Sequence, residues 1–244
     1  MEKQNKFDVD YLPQGKRYIT PDENFRFVKT NVFYKISCKL ARTITFLIGP
    51  LICKLGVGLK VKGKENLKEL HGGAICVCNH IAVLDTLYVK QAVGHYRSYH
   101  TGAPWNNKKG LGGALLRRAG FLSLGGNIAA MRNFKNTVGE LLQKGAIINY
   151  YPEHALWQNY PKPRPLKSGA FKTAANFGVP ILPLFVTFEG KKKRPVMNVL
   201  PPILPDTSLP QRVTAQKMQE KCADVWKQLY ETTYGKPLCY DGEW

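Results

Sequence analysis

The residues of this 244-residue chain best suited to chemistry are His80 and Asp85, five positions apart in the segment NHIAVLD. A carboxylate one helical turn from a histidine can hold the imidazole Nδ1–H, fix the tautomer and leave Nε2 free as a base. No enzyme nucleophile completes the pattern, so the pair suits deprotonation of a substrate hydroxyl that itself attacks an activated acyl carbonyl. General-base help of this kind contributes roughly 10²- to 10⁴-fold. By itself the pair is a weak signal, because a helix-capping histidine beside a carboxylate also occurs in purely structural settings.

The pair needs a rigid support, and the surrounding sequence supplies one. AICVC is a compact apolar run that reads as a buried strand ending just before His80, and the helical pattern AVLDTLYVKQAV follows it. Strand and helix signals then alternate: RSYHTGAP, LGGALLRRAG, FLSLGG, MRNFKNTVGELLQKG, AIINYYPE, GAFKTAANFG, VPILPLFVTFEG, PVMNVLPPI and a closing amphipathic helix through MQEKCADVWKQLYETTYG. This order predicts an α/β fold with a mixed, largely parallel sheet flanked by helices, and such sheets carry their sites at the carboxyl ends of strands. The expected division is a lead-in and helical segment over residues 1–57 and an α/β domain over 58–244.

Four ordered blocks between about Gly58 and Pro202 give the pair its company. Asn79, His80 and Asp85 form the first, GNIAAMR with Gly126, Ile128 and Arg132 the second, YPEHALW with Pro152 and Glu153 the third, and VPILPL from Val179 the fourth. In these blocks the chain resembles the glycerolipid acyltransferase family. The resemblance implies that His80 is the base and Asp85 its orienting acid. It makes Asn79 a substrate-binding residue beside them and gives Gly126, Ile128 and Arg132 the acceptor's phosphate, a task that suits an arginine fork. The third block departs from the family's Phe-Pro-Glu-Gly-Thr-Arg-Ser. Pro152 and Glu153 remain as substrate-binding candidates, His154 stands at the glycine, and Leu156 stands at the arginine. Lys162, Arg164 and Lys167 downstream are candidates to restore the missing charge, with a basic loop at a membrane surface as the equal alternative, and His154 is expected to be structural. RSYHTGAPW lacks the lysine that many relatives place on that strand, so backbone amides near His80 are the expected oxyanion donors.

Composition limits the partners. Lys and Arg number 36 against 17 Asp and Glu, a formal charge of +19, which calls for an anionic neighbour. Nucleic acid, an anionic membrane surface and an acidic carrier protein all satisfy that demand, but no nucleic-acid motif accompanies the charge. Six cysteines without recurring spacing read as reduced and structural rather than metal-binding. The opening residues lack the apolar run of a signal peptide, and the expectation is a protein on the cytoplasmic side.

Val32 to Gly58 is apolar yet carries Lys35, Lys39, Arg42 and Lys54, and Gly49-Pro50 interrupts it. Lys35, Lys39 and Arg42 share one helical face while Phe33, Ile36, Leu40, Ile44 and Leu47 gather on another, an interfacial pattern. A membrane-binding helical hairpin, peripheral or monotopic, is the expectation, and a buried hairpin is the alternative. The implied reaction moves a fatty acyl group from acyl-CoA or an acyl carrier protein onto a lysophospholipid hydroxyl, 1-acylglycerol-3-phosphate first among acceptors. It requires neither metal nor redox cofactor. The alternatives are the same chemistry on glycerol-3-phosphate or another lysophospholipid, and a non-catalytic protein that binds anionic lipid.

Overall fold

A computed structural model describes residues 18–94 and 97–240; most of the N-terminal lead-in lies outside the described residues. Among the described residues seven strands form one sheet: β1 (Lys60–Lys62), β2 (Ala74–Cys78), β3 (Ser98–Gly102), β4 (Phe121–Ser123), β5 (Ile147–Tyr150), β6 (Ile181–Glu189) and β7 (Arg194–Val199). Their order is β1-β7-β6-β2-β5-β3-β4, and only the β6–β7 hairpin pairs antiparallel. The mixed, largely parallel sheet flanked by helices is therefore the fold the alternating signals predict.

β2 is central and buried at every residue, which is why it reads as an uninterrupted apolar run. Its alternate side chains enter two cores. Ile75 and Val77 pack with Phe134, Phe171 and Trp226 on one face, against α4 (Ile128–Gln143), α5 (Gly169–Phe177) and α6 (Gln211–Tyr234). Cys76 and Cys78 pack with Ile81, Tyr88 and Leu184 on the other, against α2 (Asp85–Val93). Burial holds the Cys76 and Cys78 thiols well above their ordinary range, so they stay protonated and act as small apolar groups.

The N-terminal segment corrects the expected hairpin. It is one helix, α1 (Val32–Pro50), continued without reversal by a π-helical turn over Leu51–Gly56. Past Pro50, which supplies no N–H of its own, the chain stays helical in wider turns, with Val57 N–H bonded to Ile52 O at 3.2 Å. The resulting 25-residue helix is long and apolar enough, by length and composition, to cross a membrane.

The helix packs on α2 and on α3 (Gly110–Arg118) through an inner stripe of small and polar residues: Ser37, Ala41, Thr45, Gly49 and Cys53. Its large apolar side chains point outward, among them Phe33 at 86% exposure and Leu55 at 76%. Arg42 is a second correction. It lies beside the inner stripe, is buried, donates to the Ser98 carbonyl and stacks 4.4 Å from the Tyr99 ring centroid.

Candidate active site

The chain leaves β2 at Cys78 and must turn before α2. Asn79, the first residue of that turn, is fully buried, and its side-chain amide donates to Val186 O and accepts from Val186 N. This two-way amide clamp fixes the end of β2 to β6. It also removes Asn79 from the expected substrate contacts, because both of its polar atoms already serve the sheet.

His80 follows with its imidazole partly exposed, and Asp85 opens α2 from a fully buried position. His80 Nδ1 lies 2.9 Å from Asp85 Oδ2. The same oxygen accepts the backbone N–H groups of Ile81 at 2.7 Å and Ala82 at 3.0 Å. Burial raises the Asp85 carboxyl above its usual range, and the His80 hydrogen bond and these two amides pull it back toward the anion. Since a carboxylate only accepts, Nδ1 carries the proton, and Nε2 makes no hydrogen bond among the described residues.

Tyr151 is a contact the sequence reading missed. Its ring stacks on the His80 imidazole with centroids 4.2 Å apart and planes 21° from parallel. Its hydroxyl lies 3.3 Å from Thr86 Oγ1 in the first turn of α2, and burial keeps that hydroxyl neutral. The signal was an aromatic directly before Pro152-Glu153: β5 runs beside β2 with Tyr150 opposite Val77, so the next residue arrives at the level of the histidine loop.

The third block holds the site from below. The Glu153 side chain is fully buried; Oε2 accepts His80 N–H at 3.1 Å and Arg164 Nη2 at 2.7 Å, and Oε1 accepts Arg164 N–H at 2.9 Å. Arg164 Nη2 also reaches His80 O at 3.3 Å, while its guanidinium lies over the Trp157 ring at 4.5 Å. Trp157 N–H donates to the same His80 carbonyl at 2.9 Å. Burial raises the Glu153 carboxyl and the adjacent Arg164 opposes that rise. Arg164 and Glu153, expected to meet substrate, are instead a buried ion pair that grips the histidine's peptide groups, and Pro152 is buried with them. Lys162 donates to the Cys239 carbonyl, whereas Lys167 keeps an exposed side chain.

The expected oxyanion donors need revision as well. The amides of His80, Ile81 and Ala82 already donate to Glu153 and Asp85, so none of the three is available to a developing oxyanion.

The second block lies at the carboxyl end of β4. Gly126 N–H donates to Pro21 O, and a Cβ there would sit 2.2 Å from Thr20 Cγ2, so residues 20–21 cross close over this loop and any larger residue would first have to turn the Thr20 side chain aside. Asn127 caps α4 by accepting Ala130 N–H at 2.8 Å. Ile128, 84% exposed, and the exposed Arg132 follow in the first turns of α4. The structure thus presents Arg132 and Lys167 to solvent and withholds Asn79, Glu153 and Arg164.

His154 adopts φ +77°, the left-handed region that glycine favours. The backbone of the third block therefore keeps a glycine-type turn, closed by His154 N–H to Tyr151 O at 3.1 Å, although the residue has changed.

Residues 58–187 match a protein-family model described as Acyltransferase. Among solved structures the chain is similar to PlsC, the 1-acyl-sn-glycerophosphate (LPA) acyltransferase from Thermotoga maritima, with a TM-score of 0.60 and 16% identity over 87% of each chain. No curated protein matches it. At that identity the structural likeness is one of fold.

Proposed function

Because the chain belongs to the acyltransferase family, whose model it matches over more than half its length, we propose that it transfers a fatty acyl group from a thioester to the free hydroxyl of a lysophospholipid at a membrane. The observation that carries this reading is the 2.9 Å contact between His80 Nδ1 and Asp85 Oδ2 at the carboxyl end of the central strand. With Nδ1–H held there, Nε2 takes the proton from the acceptor hydroxyl as its oxygen attacks the thioester carbonyl. The ester forms, the thiolate leaves, and the imidazolium formed beside Asp85 returns the proton. The donor is acyl-CoA or an acyl carrier protein, whose phosphates or acidic surface suit the +19 chain.

The outward apolar face of α1 supports association with a membrane, peripheral or monotopic in this reading and on its cytoplasmic face, with the inner stripe docked on the domain. In this reading residues 1–57 comprise the lead-in and the membrane-associating helix, and residues 58–244 the catalytic domain, with Arg42 and Cys53 packing the helix onto that domain.

1-Acylglycerol-3-phosphate is the first acceptor to test, with Arg132 and Lys167 as candidate phosphate contacts. A specific observation favours a second acceptor: Leu156 stands at the family's arginine, and Arg164 is paired with Glu153 rather than open to a phosphate. The assay is thioester release by purified protein with both donors, over lysophospholipids that differ in headgroup and over glycerol-3-phosphate. Release that depends on an acceptor and disappears in His80→Ala is the expected result. Wild-type protein that acylates none of these acceptors sinks the proposal.

A further inference from the structure

The β6–β7 hairpin carries an unbroken run of positive charge. Its turn reads Gly190-Lys191-Lys192-Lys193-Arg194, and all four cations are exposed. Four like charges in succession repel one another, and the backbone that holds them is constrained, with Lys193 at φ +46° and its N–H bonded to Gly190 O. The one acid of the hairpin, Glu189, already pairs with Lys60 and Lys62 of β1 and so leaves the turn uncompensated.

The position of the turn is informative. Cys78, the last residue of β2, pairs with Leu184, and β6 continues through Phe185 to Glu189. Five further residues at about 3.3 Å each carry the turn about 16 Å beyond the end of β2, on the side of the sheet where His80 lies. Arg194 also lies against the end of α1's π-helical extension, its Cδ 3.1 Å from where a Cβ on Gly58 would be. Lys54 and the outward Leu51 and Leu55 precede Gly58 in the last turns of that helix. A cationic tip, an apolar helix end and the catalytic end of the sheet thus share one side of the protein.

We propose that the Lys191–Arg194 turn docks on the anionic headgroups of a phospholipid bilayer and, with the outer face of α1, sets the His80 site toward the lipid. This deepens the membrane reading above and rests on it. Phospholipid is favoured over nucleic acid because the turn reaches, through Arg194, the end of a helix whose last residues expose Leu51 and Leu55; such leucines suit an interface with a hydrocarbon layer and have no role on a phosphodiester backbone.

The test measures partition of full-length protein onto vesicles of phosphatidylcholine alone and of equal parts phosphatidylcholine and phosphatidylglycerol. Replacing Lys191, Lys192 and Lys193 together by Gln should weaken binding to the anionic vesicles by roughly 100-fold, three cations at about 1 kcal/mol each. Binding to phosphatidylcholine should stay as in wild type. A matched variant with Lys135, Lys144 and Lys217, on α4 and α6 and the α4–β5 turn, changed to Gln should retain the anionic preference, which separates the turn from net charge. Turnover of a soluble short-chain acceptor should be the same in all three proteins. The proposal is overturned if the turn variant binds anionic vesicles as wild type does, if the matched variant loses as much, or if soluble-acceptor turnover falls with the turn charges. Binding of a DNA duplex through the turn without vesicle binding overturns it too. Failure of acyl transfer itself would be read in the His80→Ala comparison, which does not depend on partition.

Discussion

Glu153 and His80 are 73 residues apart in sequence, yet Glu153 Oε2 accepts the backbone N–H of His80 at 3.1 Å. Arg164 closes the arrangement, donating to that oxygen and to the His80 carbonyl from a position almost wholly out of water. The base is thus located by its peptide groups as well as by its ring.

Arg164→Met leaves the Glu153 carboxylate buried without its cation, and breaking a pair of this kind costs about 3–5 kcal/mol. Arg164→Met combined with Glu153→Gln removes both charges and should recover part of that loss. Urea unfolding of wild type, both single variants and the double variant measures the coupling. A double variant as unstable as the sum of the singles would show that the two side chains act independently.

Asp85→Asn separates the charge of Asp85 from its geometry. All three donors converge on Oδ2, while Oδ1 has no partner among the described residues. An asparagine that keeps its oxygen at the Oδ2 position preserves the Nδ1–H tautomer and both amide contacts, and loses the anion that steadies the imidazolium. We expect kcat to fall roughly 10²-fold or more, KM for the acceptor to change little, and thermal stability to be nearly kept. Asp85→Ala should lose stability as well, since Ile81 and Ala82 then lack their acceptor. Equal kcat in Asp85→Asn and wild type would remove the electrostatic role.

Much of this arrangement was legible in the sequence, for local reasons. AICVC is short, wholly apolar and followed by a helical pattern, which reads as a covered strand, so the position of His80 at its carboxyl end followed, as did the reach of Asp85. The Glu153–Arg164 pair was not legible, because a loop arginine eleven positions from a glutamate has no periodicity to place it. The direction of Arg42 was misread for a different reason. Grouping it with Lys35 and Lys39 by charge put it in solvent, whereas the small residues Ala41, Thr45, Gly49 and Cys53 mark the face that packs against the domain, and Arg42 lies beside that stripe. The continuation of α1 past Pro50 depends on tertiary packing on both sides of the proline, which no window of local sequence contains.

His154→Gly should stabilise the protein. A left-handed conformation costs an ordinary residue about 1–2 kcal/mol, while glycine's greater unfolded-state freedom returns about 0.5–1 kcal/mol of that, leaving a gain of roughly 0.5–1 kcal/mol. His154→Val should lose stability, because a branched side chain tolerates φ +77° least. The midpoints of urea unfolding for the three proteins decide it, and a destabilised glycine variant would mean that the His154 side chain contributes a contact of its own.

Lys90 makes stability depend on pH in a definite direction. It is buried under α1 with Arg42 and His100, donates to Ala119 O at 2.8 Å, and burial lowers its pKa from 10.5 to about 7, with the Arg42 charge adding to the effect. His100, also held well below its ordinary value, adds to the same trend only under its usual 6.5. Between about pH 7 and 10.5 the unfolded chain keeps a proton on Lys90 that the folded protein releases, so stability rises with pH by up to about 1.4 kcal/mol per unit. Above an ordinary thiol pKa of 9.0 the buried Cys76 and Cys78 oppose this, since they ionise only on unfolding. The Lys90 contribution is therefore cleanest between pH 7 and 9. Unfolding free energy in urea should increase over that window for wild type and be nearly flat for Lys90→Met, whatever stability the variant loses at the Ala119 carbonyl. Parallel slopes in the two proteins would place the titrating group elsewhere.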